Sequence, residues 1–491
     1  MKFGLIYPFE LEGAPPLGLA SIATYLREYM GFNDTRIIDI NFEDPLEAVS
    51  RWKPDVVGIT AMTGSYGYSI RLAREIKKNW DIPVLLGGVH ISALPKSLSD
   101  AFDIGVMGEG EKTALEIVQL YENEGCFPKE KLKKIKGLVF HENGRLVMTE
   151  RRELIANLDE IPIPDRSFIN KDYRKPMPTF WGEEAYGITD VIMTSRGCPY
   201  RCTFCATSNF WQNLRMHSPK HVVEEIKMLV ERYKVDHIGI RDDLFTYNKK
   251  RMMEIKELLK EEGILDRITM MALARANMID DEICDTLVGL NVKTLNFGFE
   301  SGSDRVLKIL KKEGVTVEKI KKAVTTCLKH KIHVSGSFIL GSPGETLEDM
   351  EKTIDLIRWM TKEGVDRVGT FVMTPYPGTE IWEIAKKRGR VSDDMDWEDE
   401  KNQFHDEFNN YEIYKNPPLL DENINQDDFE GIWKRTNAQL GKMRNPQRRL
   451  AHLKMRLRHE PIKTIKHAVR NPKKALSFVR KVISSKINRN E

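Results

Sequence analysis

The chain has 491 residues, of which 41% are apolar, and this suits two to four domains with hydrophobic cores. Its net charge of +3 points to no particular class of partner. The opening MKFGLIYPFE is too short an apolar run for a signal peptide, and no later segment approaches the roughly 18 consecutive apolar residues of a membrane-spanning helix. We therefore predict a cytoplasmic protein whose six cysteines stay reduced.

The first 125 residues alternate short apolar runs with helical patterns. The strand candidates are FGLIY, RIIDI, VVGIT, PVLLGG and DIGVMGEGE. This alternation predicts a doubly wound parallel sheet, in which ligands bind beyond the carboxyl ends of the strands. Most residues at those ends are small or flexible, which leaves room for a broad ligand. The alternative is an α/β domain whose glycines only form turns.

A hairpin and a linker separate this region from a second α/β pattern. GLVFHENGRLVMT carries an Asn143-Gly144 turn, and the prolines of LIANLDEIPIPDRSF favour an extended linker. The later strand candidates are DVIMTS, HIGIRDD, RITMMALAR, TLNFGFE, HVSGSFILG and RVGTFVMT. Six β/α units predict an incomplete (β/α)6 barrel with its active site at the strand carboxyl ends. We place the domains at 1–130, 131–185, 186–390 and 391–491.

Half of the cysteines lie within eight residues, in the segment TSRGCPYRCTFC. Cys198, Cys202 and Cys205 provide three thiolates, whereas a structural zinc site usually takes four ligands and no fourth partner is evident. Three ligands on a 4Fe-4S cluster would leave one iron open to bind something else. Zinc and chance spacing are the alternatives, and the position directly after the first barrel strand weakens both.

These motifs resemble those of the radical S-adenosylmethionine (SAM) superfamily. The resemblance rests on the CxxxCxxC loop with Phe204 before its last cysteine, and on four later segments: IGIRDDLFT, ALARANMIDDEICDTL, NFGFESGSDRVLKILKK and GSFILGSPGETLEDM. The N-terminal sheet and LDEIPIPDR are similar to the cobalamin-binding subgroup, which includes class B methyltransferases and the anaerobic magnesium-protoporphyrin cyclase. The likeness covers roughly residues 1 to 390.

The resemblance implies SAM bound at a 4Fe-4S cluster held by Cys198, Cys202 and Cys205. Further SAM contacts are expected from Phe204, Asp242 or Asp243 at the ammonium group, Arg275 at the carboxylate, Glu300 at the ribose and Gly341 at the adenosyl group. Three of these assignments have a structural alternative: the aspartates as helix-capping acids, Arg275 as an ordinary surface ion pair, and the glycine as part of a tight turn.

Cobalamin is expected over the N-terminal sheet, beside Thr60, Gly87, Gly88, His90, Gly108 and Glu109. The chain departs from cobalamin domains of the methionine synthase type, because its first loop, PFELEGAPPLG, lacks their cobalt-coordinating histidine. We therefore expect no histidine ligand from this loop. His90 lies at the correct end of the sheet, but it can equally be a satisfied loop histidine.

The C-terminal tail has a charge of its own. From Lys442 to Glu491 the chain carries sixteen Lys or Arg against two Glu, so this tail holds +14 and the rest of the chain −11. Two similar pieces, PIKTIKHAVRN and PKKALSFVRKV, predict basic amphipathic helices that contact an anionic membrane surface. A solvated tail, or one packed on the chain's own acidic parts, is the alternative. Nucleic acid is disfavoured because the tail lacks interleaved aromatic residues.

The favoured function is a cobalamin-dependent radical SAM C-methyltransferase that acts on a hydrophobic or lipid-like small molecule and takes electrons from a ferredoxin or flavodoxin. A radical cyclase or another carbon–carbon bond-forming enzyme on the same scaffold is the nearest alternative. A non-catalytic iron–sulfur or zinc module is the alternative from a different class.

Overall fold

The computed structural model describes residues 1–9, 15–174, 177–178, 186–365, 367–399, 420 and 424–443. Its N-terminal part is a seven-stranded sheet in the order β2-β1-β3-β4-β5-β6-β7. The strands are β1 Phe3–Tyr7, β2 Thr35–Asp39, β3 Val56–Thr60, β4 Val84–Gly87, β5 Ile104–Val106, β6 Leu138–Glu142 and β7 Arg145–Met148. The first five are parallel, which confirms the predicted doubly wound sheet. The predicted hairpin, β6 and β7, joins the same sheet as its antiparallel edge.

Helices cover both faces of this sheet because alternate strand residues are apolar on both sides. Phe3 and Leu5 of β1 pack with one set of helices, whereas Ile6 packs with the other set. The helices are α1 Leu17–Met30, α2 Pro45–Trp52, α3 Tyr66–Asn79, α4 Val89–Ala93, α5 Gly110–Glu124 and α6 Lys129–Leu132. The chain crosses from one side of β1 to the other, so the crevice between β1 and β3 is the topological switch point.

The second half forms a separate six-stranded parallel sheet in the order β10-β13-β14-β15-β16-β17. Its strands, together with two small ribbons, are β8 Met177–Pro178, β9 Tyr186–Gly187, β10 Thr189–Ile192, β11 Ser195–Arg196, β12 Arg215–Met216, β13 His237–Ile240, β14 Thr269–Ala274, β15 Val292–Glu300, β16 His333–Leu340 and β17 Arg367–Val372. Because neighbours in the chain are neighbours in the sheet, this is the predicted six-unit partial barrel.

Helices on the outer face of this sheet bury one continuous apolar core with its outward-pointing residues, such as Ile238, Leu295 and Val334. These helices are α8 Pro219–Tyr233, α9 Lys249–Glu261, α10 Asp281–Gly289, α11 Asp304–Lys311, α12 Val317–Lys329 and α13 Leu347–Glu363. Two further helices, α7 Thr207–Phe210 and α14 Glu380–Lys387, contribute no residue to this core. The inward-facing residues alternate with the buried ones along β16 and β17 and are partly exposed, which leaves the barrel mouth accessible.

The two domains meet at the ends of their strands. Helix α4, which follows β4, contacts α7, which begins two residues after Cys205. Arg196 of β11 pairs with Glu109 and Glu111 of the N-terminal domain at 2.6 Å each. Trp397 packs against the N-terminal core beside His90. The carboxyl edge of the first sheet is therefore fixed against the mouth of the barrel.

Helix α15, Gln426–Met443, packs on α13 and β17 through Phe429, Ile432 and Trp433. No helix in the described part of the chain is long and apolar enough to cross a membrane. The predicted amphipathic tail from residue 461 lies outside the described residues.

Candidate active site at the barrel mouth

The cysteine loop is closed at its base by a short antiparallel ribbon. Ser195 pairs with Met216 and Arg196 with Arg215, so residues 197–214 leave the barrel as one loop. The entry to the loop requires glycine, because Gly197 has a φ of 95° and a Cβ built on it would lie 2.4 Å from the carbonyl oxygen of Asn213. The backbone direction at Cys198 is thereby determined.

Cys198, Cys202 and Cys205 are free thiols of intermediate exposure. Burial raises the pKa of Cys198 to about 11 and raises that of Cys205, with a contribution from the Asp243 carboxylate. Two of the three thiols, those of Cys198 and Cys205, therefore need a bound cation to become thiolates at neutral pH. The donor set therefore fits a metal group.

The three sulfur atoms are not gathered as a preformed site for a single ion. In the described residues, the only trio of His, Cys, Asp or Glu donors that lie within 4.8 Å of one another is Asp159, His217 and His221. At least one pair of cysteine sulfurs is therefore farther apart than that. Two thiolates on one tetrahedral zinc would be about 3.8 Å apart, given a Zn–S bond of about 2.3 Å.

Arg275, predicted to bind the SAM carboxylate, is bound to the cysteine loop itself. Its Nη1 lies 3.2 Å from Cys202 Sγ, and its guanidinium stacks on the Tyr200 ring at 3.9 Å. Nε donates to Asn277, and Nη2 donates to the carbonyl oxygens of Lys311 and Glu313. All three nitrogens have protein partners, so Arg275 orients the loop in this structure.

Glu300 lies at the barrel mouth in a buried ion pair. Its Oε1 is 2.8 Å from Lys311 Nζ, and both side chains are less than a tenth exposed. The same ammonium group lies 5.6 Å from the centre of the Phe204 ring, in the cysteine loop. The direction of this carboxylate is set by the backbone: the register shifts between Gly298 and Glu300, and Glu300 has a φ of 64°.

The two aspartates after β13 have different environments. Asp242 is buried and accepts four hydrogen bonds, from the backbone and hydroxyl groups of Thr194 and Ser195. Asp243 is exposed and accepts a hydrogen bond of 3.2 Å from the Thr207 hydroxyl. Asp242 thus holds the start of the cysteine loop, and Asp243 is the one of the two that a ligand could reach.

The GSPGET segment after β16 contains buried polar atoms that have no partner. Glu345 Oε2 accepts the backbone N–H groups of Gly341 and Ser342, but Glu345 Oε1 and Ser342 Oγ are without partners in the described structure. Burial raises the pKa of Glu345 to about 8. Orphaned polar atoms at this strand end suit a ligand with its own donors and acceptors, as predicted for the adenosyl group beside Gly341.

The facing strand ends of the first sheet leave open space. A Cβ built on Gly87 or Gly108 would meet nothing within 4 Å. Gly88 differs, because its φ is 99° and a Cβ would lie 2.5 Å from the Ala61 carbonyl oxygen, close to Thr60. Val89, directly after it, is an exposed apolar residue. This edge suits a broad, partly apolar ligand, and cobalamin fits it.

Two residues predicted beside cobalamin have protein partners instead. His90 is fully buried, with Nδ1 3.2 Å from Thr63 Oγ1 and Nε2 3.0 Å from Ser97 Oγ. The Glu109 carboxylate pairs with Arg196 and Arg215 and accepts the backbone N–H of Ile155. His90 therefore has no free nitrogen for cobalt in this structure, and Glu109 links the domains. The histidine-free loop after β1 lies partly outside the described residues.

The trio of Asp159, His217 and His221 connects the linker to α8. Asp159 Oδ1 accepts the backbone N–H of Ser218 and lies 3.2 Å from His217 Nδ1. The two imidazole rings are stacked, with centroids 4.2 Å apart and planes 16° apart. Lone pairs in nearly parallel ring planes do not converge on one ion, so this contact positions the linker.

Two family models match the chain. The radical SAM superfamily model matches residues 192–357, and the B12 binding domain model matches residues 12–118. An uncharacterized methyltransferase of Pyrococcus horikoshii is 36% identical over 76% of this chain and 78% of its own length. The chain belongs to the cobalamin-binding radical SAM family.

Two further proteins are similar to this chain over more than three quarters of its length. An anaerobic magnesium-protoporphyrin IX monomethyl ester cyclase of Cereibacter sphaeroides is 28% identical over 78% of this chain and 62% of its own length. The solved structure of the radical SAM methyltransferase TsrM from Kitasatospora setae, with cobalamin and a [4Fe-4S] cluster bound, has the same fold. It superimposes with a TM-score of 0.62 at 21% identity over 79% of this chain and 78% of that chain.

Membership of the cobalamin-binding radical SAM family makes the protein an enzyme with three cofactors: a 4Fe-4S cluster, SAM and cobalamin. The roles of the individual side chains remain predictions.

Several polar residues at the barrel mouth were not singled out from the sequence. Lys311, Arg196 and Glu111 acquire their roles through partners 11, 87 and 85 residues away in the chain. Lys311 and Arg241 do lie inside motifs that carried the family resemblance, and that was the available signal.

Proposed function

We propose that the protein is a cobalamin-dependent radical SAM C-methyltransferase that methylates an unactivated carbon of a small molecule. The observation that carries this proposal is the fixed opposition of the cysteine loop and the open strand ends of the first sheet. Two charge-assisted pairs from Arg196 to Glu109 and Glu111, each 2.6 Å long and largely buried, hold these two edges together. A substrate between them would reach both cofactors.

When bound, the cluster and SAM supply a carbon-centred radical, and cobalamin supplies the methyl group. Cys198, Cys202 and Cys205 would hold the cluster, and Arg275 would orient Cys202. Asp243 would accept from the SAM ammonium group, Glu300 would face the ribose, and the Gly341 turn would lie along the adenosyl group. The protein's task is to hold these groups at fixed distances and to exclude water from the radical.

The proposal also covers the class of substrate and the electron donor. A hydrophobic or lipid-like substrate would follow if the basic tail from residue 461 lies on an anionic membrane. The electrons would come from a ferredoxin or flavodoxin. Flotation of the full chain with anionic liposomes, at low and high salt, tests the tail; no flotation at either salt concentration would remove the reason for a lipid.

The central test uses the anaerobically reconstituted holoenzyme with methyl-labelled SAM, a strong reductant and cobalamin. We expect 5′-deoxyadenosine and labelled methylcobalamin from the wild type. Cys198→Ala, Cys202→Ala and Cys205→Ala together should abolish the cluster absorption and 5′-deoxyadenosine, whereas the exposed Cys126→Ala should change neither.

The result also separates the alternatives. Retained cobalamin with 5′-deoxyadenosine but no label on cobalamin would contradict methyl transfer and favour a cyclase. A full cluster complement in the triple variant would contradict the ligand assignment.

A further inference from the structure

Arg241 lies on the inner face of the barrel, one residue beyond the end of β13. Its backbone N–H donates to the Ile192 carbonyl oxygen at 2.8 Å, so the strand pairing with β10 continues through this residue. Ile238 and Ile240 are buried in the core beneath the outer helices. Because successive side chains alternate between the faces of a strand, Gly239 and Arg241 point into the barrel.

The space above Gly239 accommodates this side chain. A Cβ built on Gly239 would lie 3.1 Å from Val191 Cγ1 and 3.9 Å from Arg241 Nε. The guanidinium stem therefore runs along the inner wall rather than out over the rim. Although the side chain is exposed to solvent, the surrounding protein lowers the pKa of Arg241 through desolvation.

Arg241 has neither an ion pair nor a side-chain hydrogen bond within the described residues. Three arginines around the mouth differ: Arg275 donates from all three nitrogens, and Arg196 and Arg215 pair with Glu109. A guanidinium stays charged at any physiological pH, so an inward-facing arginine without a counter-charge is available to an incoming anion.

The nearby acids do not neutralise Arg241. Glu300 is paired with Lys311, and Asp242 is saturated by hydrogen bonds from Thr194 and Ser195. Asp243 accepts a hydrogen bond from the Thr207 hydroxyl and forms no ion pair with Arg241 in the described structure. Small residues line the rest of this inner face and leave it half-exposed; they are Gly298, Ser335, Ser337 and Gly369. The barrel interior thus combines one unpaired planar cation with room for a ligand and small polar neighbours.

We propose that Arg241 is the receptor for an oxyanion, a carboxylate or a phosphate, that enters the barrel mouth. The planar guanidinium fork matches two oxygens of such a group. The oxyanion has two sources, the carboxylate of SAM or an acidic group of the substrate. The inference rests on the proposed function, which identifies the barrel mouth as the active site. Modification of Arg241 and ligand binding can nevertheless be measured without turnover.

The first experiment measures how fast phenylglyoxal modifies Arg241 in the anaerobic holoenzyme, by peptide mass spectrometry. Arg51, whose side chain is 72% exposed, is the reference within each digest. If SAM protects Arg241 from modification but decarboxylated SAM does not, the oxyanion bound by Arg241 is the SAM carboxylate. If Arg241 stays reactive with SAM bound and inorganic phosphate then slows its modification, the oxyanion belongs to the substrate. Equal protection by SAM and decarboxylated SAM with no effect of phosphate, or no protection at all, overturns the proposal.

The second experiment compares SAM binding by wild type, Arg241→Lys and Arg241→Gln. If the SAM carboxylate is the ligand, Arg241→Gln should weaken SAM binding by at least about tenfold, leave decarboxylated SAM unchanged, and be partly rescued in Arg241→Lys. If the substrate provides the oxyanion, SAM binding stays the same in all three proteins, and inorganic phosphate, titrated by calorimetry, binds wild type but not Arg241→Gln. Intact cluster absorption and labelled methylcobalamin in wild type, together with unchanged SAM and phosphate binding in the variants, would show that the proposed function stands while this inference fails.

Discussion

Single side chains at the barrel mouth are distinguished by their partners rather than by their type. Arg275 and Lys311 are both cations next to the cysteine loop, yet one is bound to Cys202 and the other to Glu300. Arg241 faces the same space, and no carboxylate among the described residues forms an ion pair with it. Removing one partner of a buried ion pair is costly, because the remaining charge stays out of water without a compensating charge.

The Glu300–Lys311 pair gives a prediction at this scale. Glu300→Gln should lower the free energy of unfolding by roughly 3 to 5 kcal/mol, because Lys311 stays buried without its carboxylate. The double variant Glu300→Gln, Lys311→Met should recover most of that loss. Denaturant titration of the four proteins, singles and double against wild type, measures the coupling. A double variant as unstable as Glu300→Gln alone would argue against the pairing.

At the scale of elements, the β11–β12 ribbon determines how the cysteine loop leaves the barrel. The ribbon is only two residues per strand, but Arg251 donates to the Thr194 and His217 carbonyl oxygens on either side of it. Thr203 ties the middle of the loop to α11 and α14, through hydrogen bonds with Leu310 and Ile381. The loop is therefore held before any cofactor binds.

Gly197 tests this arrangement. Gly197→Ala should prevent stable cluster assembly, because its Cβ would collide with the Asn213 carbonyl oxygen at 2.4 Å. Gly263→Ala is the matched control: its φ is +66°, but nothing lies within 4 Å of the added Cβ. That control should cost only about 1 to 2 kcal/mol of backbone strain and keep its cluster. Iron and sulfide content after anaerobic reconstitution compares them, and equal cluster content would contradict the steric argument.

At the scale of the whole molecule, the C-terminal part of the chain helps to build the N-terminal domain. Trp382 and Trp397 belong to the first domain's core, and Trp397 contacts the His90 ring with centroids 4.7 Å apart. His90 also stacks on Tyr66 at 4.0 Å. Burial lowers the pKa of His90 from 6.5 to about 3. Protonation of one histidine is thus coupled to the packing of both halves.

This coupling predicts a pH dependence of stability. Below pH 6.5 the unfolded chain binds a proton at His90 that the folded protein excludes, so the His90 contribution is complete above pH 6.5 and is lost as pH falls towards 3. Relative to His90→Gln, wild type should lose about 2 kcal/mol between pH 6.5 and 5, at about 1.4 kcal/mol per pH unit. Denaturant titrations at several pH values measure this difference. Parallel stability curves for the two proteins would count against a neutral buried His90.

What the sequence by itself determined was local. Apolar periodicity predicted both parallel sheets, since burial on both faces leaves its pattern within a few consecutive residues. The cysteine triplet was recognisable because its members lie within eight residues. The tertiary structure alone decided the partners: Arg275 with Cys202, Glu109 with Arg196, and the hairpin as an edge of the first sheet. Charged side chains reach partners 73 and 87 positions away, and no local pattern encodes such a pairing. Whether an arginine binds a ligand or its own chain therefore depends on the folded geometry.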